Sequence, residues 1–342
     1  MSEYVIGIDT GSTKSHLAIF DTDGNIVCLE KCGPLSFEEG GTPGSFALFE
    51  KEFGRFVAGA LSKNNITMKQ VEYSVMGLTG IDTKHQHRVV SGIMQRLGFE
   101  RITLVNDAFL GIPAGNPDGV GICAINGTGC TLAGINREGK MLQIGGVGYV
   151  SADYGGGGIM GRLVVSAVYS ELFRGGEPTR MTPVLLQKLG ISSKYDFVDI
   201  IYDRIADKSF DVTACSKMLF EAALENDAAA SKLLRGIGAS YAGGISCMID
   251  ELKFSREEEL NIVFAGSNFV RGESPLLLDT IKEAVCAGHP EYRIKWILLQ
   301  APPVAGAIIR AFNILKGNEK YAWRDKICLA LAKADNSRNI II

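Results

Sequence analysis

A short glycine-containing turn near the N-terminus carries residue types that can bind phosphate. The run Asp9-Thr10-Gly11-Ser12-Thr13-Lys14 combines a carboxylate, hydroxyl groups and a lysine. Glycine lets backbone N–H groups approach an anion closely, and successive N–H groups in a turn form a concave anion site. Asp9 could hold Mg²⁺, usually through water. The same pattern is also typical of a hairpin with a polar rim.

A second turn of the same kind occurs later in the chain. The run Asn126-Gly127-Thr128-Gly129-Cys130 repeats the glycine–threonine pattern, and Thr128 follows Thr13 by 115 residues. At this constant offset Leu17 meets Leu132, Ala18 meets Ala133 and Gly24 meets Gly139. The two turns therefore predict a duplicated unit, in which facing turns clamp a polyphosphate from both sides of a cleft.

A carboxylate at a predicted strand end is the candidate catalytic base. Asn106 and Asp107 follow the strand expected over 102–105, and side chains at such strand ends line the crevice outside the sheet. Phosphoryl transfer to an alcohol needs a base that orients the hydroxyl and takes its proton, which suits Asp107. Asp107 could equally cap the helix that follows it.

Two further glycine segments lie after the second turn. Residues 145–158 contain seven glycines, and Asp153 is the one charged group among them. This segment indicates either a flexible loop or a close-fitting wall of a site. Its GxGxxG match lacks the framing βαβ unit of a dinucleotide fingerprint. Gly266-Ser267 follows a predicted strand, which is a weaker signal for a nucleotide site.

Strands and helices must alternate to position these turns, which predicts an α/β fold of two similar domains with mixed sheets flanked by helices. The expected domains are 1–116 and 117–318, and a last helix over 319–335 is expected to pack back on the first domain. Predicted strands cover 4–9, 15–20, 25–31, 71–76, 102–105, 260–264 and 294–299, with a second three-strand meander over 120–144. Predicted helices cover 44–63, 83–97, 157–172, 182–189, 196–206, 212–253, 275–287, 303–315 and 321–334.

Composition sets the broad class. The chain has 342 residues with a formal net charge of -3, which gives no electrostatic footprint for nucleic acid. No apolar run approaches the length of a membrane helix, and the N-terminal sequence does not resemble a secretory signal. The eight cysteines lack zinc spacing and are expected to be reduced, buried thiols. We therefore expect a cytoplasmic protein without a nucleic-acid or membrane partner.

The motifs, taken in order, resemble those of a known family. IGIDTGSTKSHLAIFD is similar to the first phosphate motif of the actin-like ATPase and sugar-kinase superfamily. VNDA, INGTGC, GGVGYVSADYGGGG, FAGSNFVRGESPLL and APPVAGA resemble the N-acetylglucosamine kinase branch, grouped with the BadF/BadG/BcrA/BcrD ATPases. The resemblance implies two ribonuclease H-like domains around a cleft, often a homodimer, that transfer the γ-phosphate of MgATP to a sugar hydroxyl.

The resemblance assigns roles residue by residue. It makes Asp107 the catalytic base and Asp9 the magnesium ligand. Its ATP-binding positions fall on Asp9, Gly11, Ser12, Thr13, Lys14, Gly127, Thr128, Gly129, Gly266 and Ser267. Its sugar-binding positions fall on Ser36, Asn106, Asp107, Cys130, Gly145, Gly146, Gly148 and Asp153.

Four departures from the family pattern lie on the sugar side. Ser36 stands where the family often has an Asn. Cys130 replaces the family's Ser, Val147 its Trp and Tyr154 its Glu. They leave ATP-dependent kinase activity better supported than the choice of sugar, which is expected to be N-acetylglucosamine or a related amino sugar. Two alternatives remain at this point. One is an ATPase activator of the 2-hydroxyacyl-CoA dehydratase type, and the other is a non-catalytic sugar sensor.

Overall fold

The computed structural model describes residues 3–39, 42–43, 45–146, 148–151, 153–317 and 320–337. The strands are β1 Tyr4–Thr10, β2 Ser15–Asp21, β3 Ile26–Cys32, β4 Glu38–Glu39, β5 Thr42–Pro43, β6 Val71–Leu78, β7 Ile102–Val105, β8 Gly121–Asn126, β9 Cys130–Ile135, β10 Met141–Gly145, β11 Glu259–Ala265 and β12 Arg293–Leu298. The helices are α1 Phe46–Lys63, α2 Lys84–Arg96, α3 Ala108–Gly115, α4 Gly156–Arg174, α5 Met181–Leu189, α6 Phe197–Ala206, α7 Ser216–Leu224, α8 Ala228–Leu252, α9 Ser267–Val270, α10 Leu276–Gly288, α11 Val304–Lys316 and α12 Lys320–Ser337.

Two five-stranded sheets share one topology. The first has the order β3-β2-β1-β6-β7 and the second the order β10-β9-β8-β11-β12. In each sheet the first three strands form an antiparallel meander and the other two run parallel to its first strand. The predicted α/β fold with two similar mixed sheets is therefore confirmed.

The duplication extends to the turns, with one difference in length. Gly24 and Gly139 both have φ near +80°, so the second turn of each meander uses the same left-handed glycine. In the first phosphate-type turn, Thr10 pairs with Ser15 across four residues. In the second, Asn126 pairs with Cys130 across three. The repeat therefore aligns Ser15 with Cys130, and the second turn is one residue shorter.

Two helices each pack on the sheet to which they do not belong in the chain. Helix α3 follows the first sheet in the chain but packs on β8, β9 and β11 of the second. Helix α11 follows the second sheet but packs on β1 and β6 of the first. Their side chains form one shared buried cluster with residues from both sheets, including Val5, Leu110, Val263 and Ile308. A hydrogen bond between Asp82, which follows β6, and Gln143 of β10 brings the C-terminal edge of the first sheet against the second, and the space between the two sheets at this edge is called the cleft below.

The remaining elements cover the outer faces. Helices α1 and α2 bury apolar residues against the first sheet, and α4, α7, α8 and α10 enclose the core of the second. Helix α12 contacts β3 and α11, and Trp323 stacks on Phe312 with 4.8 Å between ring centroids. The domain boundary near 116–117 stays a prediction. None of the helices in the described part of the chain is long and apolar enough to cross a membrane.

Two sequence expectations were wrong in detail. The helix predicted over 212–253 is a short 3-10 turn followed by α7 and α8. The chain breaks because Asn226 adopts a left-handed conformation and Asp227 caps α8 by accepting a hydrogen bond from Ala230 N. The cysteines are free thiols, but Cys247 and Cys286 are exposed, so they are not all buried.

Candidate functional site

The candidate base lies at the mouth of the cleft. Asp107 lies two residues after the end of β7 and is partly buried. Thr79 Oγ1 lies 2.8 Å from Asp107 Oδ2 and 2.9 Å from Thr10 O. Because Thr10 O also accepts a hydrogen bond from Thr79 N, the Thr79 hydroxyl can donate to the ionised Asp107. Thr79 therefore fixes one carboxylate oxygen of Asp107.

Burial and a neighbouring acid change the proton affinity of Asp107. Loss of hydration, and after it the negative charge of Asp9, raise its pKa from 3.8 to about 7. The hydrogen bond from Thr79 opposes this rise. A carboxyl group with a pKa near neutrality exchanges a proton readily at physiological pH, as a general base must.

The helix-capping alternative for Asp107 is not what the structure shows. Asp107 has helical dihedral angles and its side chain makes no capping hydrogen bond. Asn106 caps the start of α3 instead, because its Oδ1 accepts a hydrogen bond from Ala108 N at 2.9 Å. The Asn106 side chain is 4 % exposed and its Nδ2 donates to Asp82 Oδ1 at 2.9 Å. Direct contact of Asn106 with a substrate therefore stays a prediction.

The first turn leaves its polar groups accessible to solvent at the C-terminal end of β1. Asp9 lies in β1 with a side chain that is 13 % exposed, and its Oδ2 is 3.7 Å from the buried His16 Nδ1. Ser12, Thr13 and Lys14 are exposed, and Gly11 is partly exposed. These are the positions at which phosphate contact is predicted.

The second turn is held by two asparagines and by a close contact with Gly266. Asn126 Oδ1 accepts from Gly156 N at 2.9 Å, and Asn268 Nδ2 donates to Gly127 O at 2.9 Å. A Cβ on Gly266, whose φ is +95°, would lie 2.5 Å from Asn126 O. The turn, the start of α4 and the 266–267 segment therefore form one packed unit, which brings together Gly127, Thr128, Gly129, Gly266 and Ser267.

Asp153 connects the described residues at the start of the 145–158 segment through hydrogen bonds to their backbone. Asp153 Oδ2 accepts from Gly146 N at 3.0 Å and from Gly148 N at 2.8 Å. Asp153 thus organises the loop backbone, and its contact with a substrate stays a prediction. Val147 lies outside the described residues.

The other positions on the predicted sugar side differ in exposure. Ser36 is partly buried between the buried Leu35 and Phe37, and Tyr154 is 51 % exposed. Cys130 begins β9, where burial raises the pKa of its thiol to about 11. Cys130 is therefore a neutral thiol at physiological pH.

Four residues of the cleft were missed by the sequence analysis: Thr79, Asp82, Gln143 and Asn268. Thr79 and Asp82 could have been found, because β6 is parallel to β1 and β7 and its loop must leave at the same edge of the sheet. Gln143 and Asn268 carried no such signal, because both contribute through contacts with residues far away in the chain.

Two sheets of identical order, each opened by a glycine-containing hairpin turn at a shared cleft, define the class of two-lobed ATPases with the actin-like fold. The sequence profile of the BadF/BadG/BcrA/BcrD ATPase family matches residues 6–310, and the chain belongs to that family. It is 26 % identical over 320 residues to the N-acetyl-D-glucosamine kinase of Dictyostelium discoideum, covering 92 % of this chain and 99 % of that protein.

Further relatives agree with this fold. The N-acetylmuramic acid/N-acetylglucosamine kinase of Clostridium acetobutylicum is 22 % identical over 310 residues, covering 90 % of this chain and 98 % of that protein. The crystal structure of a candidate N-acetylglucosamine kinase from Chromobacterium violaceum superposes with a TM-score of 0.66 at 18 % identity, covering 91 % of this chain and 99 % of the other. A ROK family glucokinase from Streptomyces griseus superposes with a TM-score of 0.54 at 19 % identity, covering 90 % and 98 %.

Proposed function

We propose that the protein is an ATP-dependent sugar kinase that transfers the γ-phosphate of ATP to a hydroxyl of N-acetylglucosamine or a related amino sugar. The observation that carries the proposal is the carboxyl group of Asp107. It has a pKa near 7, is held by Thr79 and lies close to Asp9, which precedes the first glycine-containing turn. The curated relatives named above support the choice of an amino sugar.

Asp107 would act on the acceptor hydroxyl. Thr79 holds Oδ2, and Oδ1 can accept a hydrogen bond from the sugar O–H. The ionised carboxylate orients that hydroxyl toward the γ-phosphorus and takes its proton as the new P–O bond forms. The bond between the γ-phosphorus and the β–γ bridging oxygen breaks in the same step, and ADP leaves with the electron pair. Since water would compete as acceptor, closure of the cleft around the sugar would favour transfer over hydrolysis.

The glycine-containing turns would bind the polyphosphate. In the second turn the carbonyl groups of Gly127 and Thr128 accept hydrogen bonds from the first amides of α4. This leaves the backbone of the turn ordered before nucleotide arrives, so little reorganisation is needed on binding. Gly266 and Ser267 would lie on the adenosine side.

Asp9 fits a magnesium ion carried by the nucleotide. Mg²⁺ keeps several waters and is commonly bound by one or two carboxylates together with substrate phosphates. Asp9 offers one such carboxylate that is shielded but still accessible, at 13 % exposure. Bound there, the ion would neutralise charge on the β- and γ-phosphates. The predicted homodimer and cytoplasmic location are part of this proposal and rest on the family resemblance and composition.

A panel of acceptors tests the proposal. Purified protein is incubated with MgATP and N-acetylglucosamine, N-acetylmuramic acid, glucosamine or glucose, and ADP release is compared with a sugar-free blank. We expect release that depends on an amino sugar. Release that no sugar changes would contradict the proposal and favour an ATPase activator, for which iron content of protein purified without oxygen is the next measurement. Tight sugar binding without turnover would favour a sensor.

A further inference from the structure

One hydrogen-bonded group connects the two lobes beside the candidate base. Asp82 lies in the loop between β6 and α2 of the first lobe. Its Oδ1 accepts from Gln143 Nε2 at 2.5 Å, and Gln143 belongs to β10 of the second sheet. The same oxygen accepts from Asn106 Nδ2 at 2.9 Å. Asp82 thus joins a strand of the second lobe to the residue that precedes Asp107.

The contact is partly shielded from water. Burial raises the pKa of the Asp82 carboxyl, while the hydrogen bonds from Gln143 and Asn106 oppose the rise. Gly146, with φ of +99°, lies directly against the contact. A Cβ at that position would be 2.7 Å from Asp82 Oδ1 and 3.0 Å from Gln143 Nε2. The absence of a side chain at Gly146 is therefore what allows the loop to approach the pair.

The residues bonded to Asp82 on either side, Asn106 and Gln143, both adjoin positions predicted to contact the acceptor sugar. Asn106 Oδ1 fixes the backbone amide of Ala108, so a displaced Asn106 would also tilt Asp107 between them. Gln143 precedes Gly145, and its Nε2 is 3.4 Å from Gly145 O. The nucleotide side is held by a separate set of contacts, those of Asn126 and Asn268.

We propose that Asp82 is a positioning residue for the acceptor sugar, because its hydrogen bond to Gln143 fixes Asp107 and the Gly145–Gly146 backbone in one arrangement across the two lobes. The inference rests on the proposed sugar kinase function and adds to it a lobe-to-lobe contact that acts on the acceptor and not on ATP.

Exchanging the amide and the carboxylate between Gln143 and Asp82 tests the positioning role of Asp82. Gln143→Glu places two carboxylates in contact, and we expect the KM for the sugar to rise about tenfold or more, since a charged hydrogen bond is replaced by a repulsion. The KM for ATP is expected to stay within about twofold, because the nucleotide contacts are separate. Adding Asp82→Asn to Gln143→Glu restores an N–H donor opposite a carboxylate, but that N–H group cannot also accept from Asn106 Nδ2. The double variant should therefore recover part of the lost sugar affinity.

The matched control is Gln187→Glu, the same substitution at an exposed position of α5, and it should leave both KM values unchanged. A double variant no better than Gln143→Glu alone, or equal effects on the two KM values, would overturn the inference while leaving the kinase function in place. No sugar-dependent ADP release from the unsubstituted protein would overturn the proposed function, and the inference with it.

Discussion

Replacing Asp107 with Asn removes the charge from the base while keeping its shape, and this has a measurable effect on stability. The pKa of Asp107 is raised from 3.8 to about 7 by burial and by the charge of Asp9. A difference of this size corresponds to about 4 kcal/mol between the two protonation states. Because the side chain is only partly buried in an open cleft, solvent screening reduces the expected effect to about 1–2 kcal/mol.

The direction in which stability changes with pH follows from the difference in proton binding between the folded and unfolded states. The folded protein binds the Asp107 proton more tightly than the unfolded chain does, so this stabilising contribution is complete below about pH 4 and is lost as the pH rises through about 7. The Asp107→Asn variant does not titrate at this position. Its free energy of unfolding, relative to the parent protein, should therefore increase by about 1 kcal/mol between pH 5 and pH 8, because roughly a third of the loss occurs below pH 5.

Urea unfolding followed by tryptophan fluorescence at pH 5, 6.5 and 8 measures this difference. The control is Asp199→Asn on the exposed side of α6, for which the difference from the parent should not vary with pH. The reasoning is refuted if the Asp107→Asn difference is the same at all three pH values, or if it is larger at pH 5 than at pH 8.

Two further predictions concern the neighbours of the base and of the second turn. Thr79→Val removes the hydroxyl that stabilises the Asp107 carboxylate, so the pH at which kcat/KM reaches half its maximum should move above about 7 by up to about one unit, whereas Thr79→Ser should retain the parent profile. An unchanged profile for Thr79→Val would contradict this assignment. Gly266→Ala forces a Cβ to within 2.5 Å of Asn126 O at a φ of +95°, so the KM for ATP should rise about tenfold or more. Gly236→Ala, at a position in α8 with open space around it, should instead leave the KM for ATP unchanged and stabilise the protein by up to about 1 kcal/mol.

The strands and turns could be predicted from the sequence because their signals are local. The repeat of a glycine–threonine turn followed, at the same spacing, by Gly24 or Gly139 identified two equivalent meanders, and the two sheets have the same order. Asp107 could be singled out for the same reason, since a carboxylate directly after a short apolar strand must lie at the edge of a sheet.

The exchange of α3 and α11 between the sheets was not predicted, because the sheet that a helix covers is decided by packing and not by local sequence. The one available signal was composition: all eight residues of α3, Ala108–Gly115, are apolar and buried, as expected for a helix enclosed on every side. The partners of Asp82 could not be predicted either, since Gln143 is 61 residues away along the chain.

The most direct test of the account is detection of the phosphorylated sugar. Protein, MgATP and N-acetylglucosamine are incubated together, and the product is analysed by mass spectrometry and by phosphorus NMR, with ATP affinity measured separately by calorimetry. The account predicts a sugar phosphate from the parent protein. It also predicts that Asp107→Asn retains ATP affinity but loses transfer by about two orders of magnitude or more. Near-normal transfer by Asp107→Asn would contradict the central claim that this carboxylate activates the acceptor hydroxyl.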